Sequence, residues 1–111
     1  MKLWVDDIRP KPVAYDVWVK TSSEAIAKLQ TGEVAAISLD HDLGEVQAGD
    51  GYQIAKFIED AAREKRIPRL EWELHTANPV GHKNMEAALK NADRYWDEAE
   101  LEEGFEFFKP A

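Results

Sequence analysis

Apolar and polar positions succeed one another in two rhythms along this chain, and the alternation predicts strands and helices in turn. Lys2-Leu3-Trp4-Val5-Asp6 is a short apolar segment ending at two carboxylates, Asp6 and Asp7, and reads as a buried strand. Ile8 to Pro12 carries Pro10 and Pro12, which excludes a regular helix interior. From Tyr15 to Lys20 the period is two, with Tyr15, Val17 and Val19 on one face and Asp16, Trp18 and Lys20 on the other. That suits an edge strand. Thr21-Ser22-Ser23-Glu24 has capping-box spacing, Ala25, Ile26 and Leu29 give the helix behind it an apolar side, and Gly32 ends it. Val34 to Leu39 is almost continuously apolar, as expected of a central strand, and runs into Asp40-His41-Asp42.

A loop with Gly44, Gly49 and Gly51 follows, and the rhythm then lengthens. Ile54, Phe57, Ile58, Ala61 and Ala62 repeat at helical spacing within Gln53 to Arg66. Leu70, Trp72 and Leu74 alternate with Glu71 and Glu73, predicting a strand with one wet face that ends at His75-Thr76-Ala77-Asn78-Pro79. Met85, Ala88, Leu89, Ala92 and Trp96 mark a third helix. Glu98 to Glu103 is acidic, and Phe105-Glu106-Phe107-Phe108 is a candidate last strand. Strands alternating with helices predict βα units. The expected fold is α/β, a mainly parallel sheet of four or five strands with helices on both faces, in a single domain spanning residues 1–111.

Composition narrows the function. The chain holds 14 Lys and Arg against 22 Asp and Glu, a net charge of −8, and no basic stripe interleaved with aromatics. A coat for long DNA or RNA is therefore excluded, while a small phosphorylated ligand or an RNA end held through a metal is not. There is no cysteine, so thiolate metal sites and disulfides are ruled out. No apolar run is long enough for a membrane span, and the start reads as a strand rather than a leader, so the cytoplasm is the expected compartment.

Ligands of open parallel sheets sit beyond the carboxyl ends of the strands. Three strands here end in polar residues: Asp6-Asp7, Asp40-His41-Asp42, and His75-Thr76 followed by Asn78. The fold thus gathers Asp6, Asp7, Asp40 and Asp42 at one edge, where four carboxylates repel unless a cation neutralises them. Oxygen ligands favour Mg²⁺ or Mn²⁺, and an entering histidine shifts the preference toward Zn²⁺. Arg9 after the first strand, and Lys83 in Gly81-His82-Lys83-Asn84 at the start of the third helix, are candidate phosphate contacts. Arg63, Lys65, Arg66 and Arg69 precede the fourth strand at the opposite edge and read as helix C-terminal charges.

Asp6-Asp7, Leu39-Asp40, Asp50-Gly51 and Thr76-Ala77 together resemble a receiver domain of two-component signalling. That resemblance implies Asp6, Asp7 and Asp40 as Mg²⁺ ligands, Asp40 as phosphoacceptor and Thr76 as the hydroxyl that steadies the phosphoryl group. His41, Asp42, His75 and Asn78 are additions, and the receiver lysine has no secure counterpart, Lys109-Pro110 standing in a poorly matched tail. The segments Leu3 to Pro10, Ser38 to Gly44 and His75 to Gly81, with Asn84-Met85, resemble a narrower group, the cyclic-phosphate processing receiver-like domains.

Two functions are expected on this reading. One is a metal-dependent phosphoesterase acting on 2′,3′-cyclic phosphate RNA ends or small cyclic nucleotides. In it His41 or His75 moves protons, with Asp40, Thr76 and Asn78 completing the catalytic set. The other is a stand-alone receiver phosphorylated on Asp40 that regulates a protein partner.

Overall fold

Alternate residues of the strands divide the molecule into a packed face and a second, more polar one. The computed structural model describes residues 1–107, with side chains as far as residue 102. Strands β1 (Lys2–Val5), β2 (Val17–Val19), β3 (Ala36–Leu39) and β4 (Glu71–Leu74) form one parallel sheet in the order β2-β1-β3-β4. Leu3 pairs with Ile37 and Val5 with Leu39, so the four side chains share a face. All are buried and join one core with residues of helices α1 (Ser22–Leu29), α2 (Gly51–Arg63) and α3 (Pro79–Phe107). Helix α1 packs on α2 and α2 on α3. Among the described residues no helix is long and apolar enough to cross a membrane.

The capping signal at Thr21 acts as the sequence suggests, its hydroxyl accepting from the Glu24 N–H at 3.2 Å; Asp50, not read as a cap from the sequence, caps α2 by accepting from the Gln53 N–H at 2.9 Å. Helix α2 stops at Arg63, three residues early, because Lys65 takes a left-handed conformation (φ 58°). Its N–H then bonds Ala62, and the next N–H, of Arg66, bonds Ala61 at 2.8 Å, so the last carbonyls are satisfied. Full burial of Ile54 and Ile58 contributes about 1.5–3 kcal/mol each toward holding α2 on the sheet.

The parallel α/β, receiver-like architecture is the one expected, with one local difference. Crossovers from β2 to β3 and from β3 to β4 run one way across the sheet, and that from β1 to β2 runs the other way. Right-handedness therefore sends the β1–β2 connection to the second face. There it is not a helix but the loop between β1 and β2, since Pro10 and Pro12 deny it helical hydrogen bonds. The loop covers Trp4: Tyr15 meets the indole edge-on at 5.3 Å, and the indole N–H donates to the Arg9 carbonyl at 2.9 Å.

The candidate fifth strand is also revised. Glu98 to Phe107 continues α3, so the sheet has four strands among the described residues. No proline interrupts that stretch, and its Gly104 is the kind of helix-interior residue that costs only about 1 kcal/mol. Phe108 and Lys109, the remainder of that expectation and the lysine of the poorly matched tail, lie outside the described residues.

Candidate functional site

The ladders of β1, β3 and β4 run one residue past each strand's end, and those residues are polar. Asp6 N–H bonds the Val19 carbonyl at 3.2 Å, Asp40 N–H bonds Val5 at 3.0 Å, and His75 N–H bonds Leu39 at 3.0 Å. Asp6, Asp40 and His75 thus stand side by side on adjacent strands. One ligand atom from each lies within 4.8 Å of the others. In front of them is a cavity of about 370 Å³ whose lining includes Asp6, Asp7, Arg9, Asp40, Asp42 and Thr76. The four expected carboxylates do converge.

Asp6 is only 1% exposed. Its Oδ1 accepts from the Ile8 and Arg9 N–H groups at 2.8 Å each, and its Oδ2 faces His75 Nε2 at 2.9 Å. Burial pushes the carboxyl up, but the Arg9 and Ile8 amides and His75 together outweigh it and hold Asp6 below the usual carboxylate value. His75 is lowered, first by burial and against the pull of Asp6 and Asp40. Both its nitrogens are occupied, because Nδ1 meets the Ser38 hydroxyl at 2.7 Å. Its ring lies flat on Trp4, centroids 3.9 Å apart.

Asp40, 8% exposed, accepts from the His41 N–H at 2.8 Å. The N-terminus of α2 is drawn against it, the Gly51 N–H donating to the His41 carbonyl at 2.8 Å. A Cβ at Gly51 would stand 2.1 Å from the Asp40 carbonyl oxygen, so only glycine permits this approach. Gly44 has a positive φ of 90° and leaves room for the Asp7 carboxylate, which a Cβ there would meet at 3.1 Å.

His41 differs from His75. Its Nδ1 lies 3.0 Å from Asp42 Oδ1, and among the described residues its Nε2 has no hydrogen-bond partner. Asn78 caps α3, its Oδ1 accepting from the Gly81 N–H at 3.0 Å, which turns its amide nitrogen toward Asp42 Oδ2 at 3.4 Å. The His41 bond, helped by Asn78 against burial, holds Asp42 below the usual carboxylate value. An ionised carboxylate only accepts, so His41 Nδ1 donates to it, and Nε2 is the ring nitrogen left without a partner among the described residues. The imidazole packs against Gly81, where a Cβ would meet its Cδ2 at 2.6 Å.

The expected phosphate contacts separate. Arg9 lines the cavity, donating from Nη1 to the His75 carbonyl and standing 4.0 Å from Asp6 Oδ2. Lys83 is exposed on the second turn of α3 and does not line the cavity. Thr76 lines it, its hydroxyl accepting from the Asn78 N–H at 3.1 Å. At the opposite edge Arg69 pairs with Asp93, Asp97 and Glu100 of α3, so it fastens that helix instead of capping α2. Two residues were not singled out from sequence, Ser38 and Trp4. A lone hydroxyl inside Ala36-Ile37-Ser38-Leu39 was the available signal for the first.

Four carboxylates around one cavity, with Arg9 the cation on its wall, form an oxygen-rich donor set that fits a divalent ion. Asp6 and Asp40, with ligand atoms within 4.8 Å of each other, and Asp7 on the cavity wall could hold Mg²⁺ or Mn²⁺, while His75 stands beside them with both nitrogens already bonded. The model of one family, the cyclic-phosphate processing receiver domain, matches residues 1–91, a stretch that includes every site residue named above. No curated protein and no solved structure matches the chain.

Proposed function

The chain belongs to the cyclic-phosphate processing receiver family, and on that premise we propose that it is a metal-dependent phosphoesterase that opens cyclic phosphodiesters. The substrates are 2′,3′-cyclic phosphate RNA ends or small cyclic nucleotides, and the working compartment is the cytoplasm. The observation that carries this reading is a cavity walled by four carboxylates, Arg9 and Thr76, with an oriented histidine adjoining it: His41 is not on the wall itself, but it follows Asp40 in the chain, is held by the wall residue Asp42, and has an Nε2 without a partner among the described residues. A phosphorylated signalling module has no need of such a group.

In this reading Asp6, Asp7 and Asp40 hold a divalent ion. When bound, the ion supplies charge neutralisation at the phosphoryl oxygens and a lowered pKa for water. His41 Nε2 takes the proton from the attacking water as its oxygen bonds phosphorus. The ring P–O bond breaks, and the same proton passes to the departing ribose oxygen, leaving a phosphomonoester. Arg9 and Thr76, on the cavity wall, contact the phosphoryl oxygens. Asn78 steadies Asp42. Asp42, expected as a fourth metal ligand, instead serves His41 in this reading, since it lies outside the Asp6, Asp40 and His75 cluster and its Oδ1 accepts from the imidazole. His75, with both nitrogens engaged, is not the proton carrier. Lys83 lies outside the cavity wall and suits the next phosphate of an RNA end rather than the reacting one.

Release of phosphomonoester from a panel of cyclic nucleotides and cyclic-ended RNAs, with Mg²⁺, Mn²⁺ or Zn²⁺ supplied, tests the proposal. No product with any of them sinks it. The placement of Thr76 on the same cavity wall as Asp40 favours the alternative, a receiver phosphorylated on Asp40 that regulates a protein partner. Acetyl phosphate or beryllofluoride separates the two: stable modification of Asp40 without turnover supports the alternative.

A further inference from the structure

Trp4 and Ser38 are register partners on β1 and β3, on the face of the sheet away from the helices. Ser38 is fully buried and Trp4 8% exposed, and both stand outside the apolar cluster packed between the sheet and the helices. Both converge on one ring. Trp4 stacks on His75 with 5° between the planes, and the Ser38 hydroxyl meets Nδ1.

The hydrogens of this chain follow from elementary inventory. Asp6, ionised, can only accept, so His75 Nε2 carries a proton and donates it to Oδ2. A neutral imidazole has a single N–H, so Nδ1 is bare and the Ser38 hydroxyl turns to donate. The direction is fixed: Ser38 to His75 to Asp6. With Oδ1 held by two backbone amides, both oxygens of Asp6 are then tied.

We propose that Ser38 and Trp4 are positioning residues: through His75, whose tautomer and plane they set, they hold the Asp6 carboxylate in the orientation in which it binds the metal. The proposal rests on the metal site of the proposed function. It also makes His75 a partner of a ligand and not a ligand, because a ligating Nε2 would have to be bare. An ordinary packing role for Ser38 would need no hydroxyl, and a buried hydroxyl without a partner is costly.

The test has two arms, each with its own readout. In metal-free protein, long-range ¹H–¹⁵N NMR should show His75 as a single Nε2–H tautomer. S38A should mix the tautomers and shift the Ile8 and Arg9 amide protons, which report the Asp6 carboxylate. Mn²⁺ titration followed by electron paramagnetic resonance forms the second arm. S38A and H75A should bind about tenfold more weakly or worse, the usual cost of losing such a partner. H75Q, whose amide N–H can replace Nε2–H, should stay within about threefold of wild type on the same scale, and it carries the test if S38A does not fold. W4F should hold the single tautomer and W4L should not. The proposal is overturned if S38A leaves the tautomer and amide shifts unchanged, or if H75Q loses as much Mn²⁺ affinity as H75A. If wild type takes up no Mn²⁺, the metal reading falls and the ligand role with it, while the NMR arm still reports the clamp.

Discussion

Replacing Gly51 by alanine probes how tightly helix α2 is set against the site. The added Cβ would stand 2.1 Å from the Asp40 carbonyl oxygen and 2.8 Å from Met85 Sδ. Carbon and carbonyl oxygen tolerate about 3.3 Å, so the strand exit and the helix must part by about 1.2 Å. The Met85 side chain can move freely, but displacing the Asp40 backbone strains its bond to Val5. Overpacking of this kind costs about 1–3 kcal/mol. In a domain of this size that lowers Tm by roughly 4–8 °C per kcal/mol. G32A is the comparator: Gly32, unlike Gly51, has a positive φ, 75°, and a Cβ there meets nothing nearer than 3.9 Å. Its cost is backbone strain alone, about 1 kcal/mol. Thermal unfolding followed by circular dichroism should place G51A below G32A. Because Asp40 moves with its carbonyl, G51A should also weaken Mn²⁺ binding while G32A does not. A G51A protein with wild-type Tm and Mn²⁺ affinity would refute the reasoning.

Three further outcomes follow from single contacts. D42N should lower kcat at least tenfold, since the proton-transfer role it supports is worth about 10²–10⁴ in rate, while Mn²⁺ affinity holds; affinity falling as far as in D40N would return Asp42 to the metal shell. Stability should fall with acidity in two stages, read from urea midpoints. His75 is depressed below its ordinary 6.5, so its contribution is complete above that value and is lost as pH drops below it; Asp6, depressed below 3.8, adds a second loss further down. H75Q should flatten the first stage, and an unchanged slope would show that His75 is not its source. N91L removes the Asn91 amide that donates to the buried Glu59 at 2.8 Å between α2 and α3, and should cost about 1–3 kcal/mol in urea unfolding.

The strand exits were legible because apolar runs that stop at Asp6, Asp40 and His75 leave little choice of topology, and a parallel sheet then aligns their ends. The Thr21 cap was legible in the same local way, whereas the α3 cap that keeps Asn78 in the site was not read from Asn78-Pro79. What sequence could not convey was direction within a side chain. His41 and His75 both follow strands and both read as proton carriers, yet one has a free nitrogen and the other has none. Spacing does not reveal which ring will be stacked on a tryptophan. Phe105 to Phe107 failed as a strand for a related reason: alternation over a few residues cannot outweigh a helix already running from Pro79. The covering loop on the second face was foreshadowed by Pro10 and Pro12, which forbid the helix without saying what replaces it.

The most direct test is ³¹P NMR of adenosine 2′,3′-cyclic phosphate incubated with the protein and Mg²⁺. The account predicts that the cyclic resonance is replaced by that of a phosphomonoester with wild type, that chelation of Mg²⁺ stops the change, and that D40N does not produce it. An unchanged spectrum with wild type, or the same conversion with D40N, would contradict it.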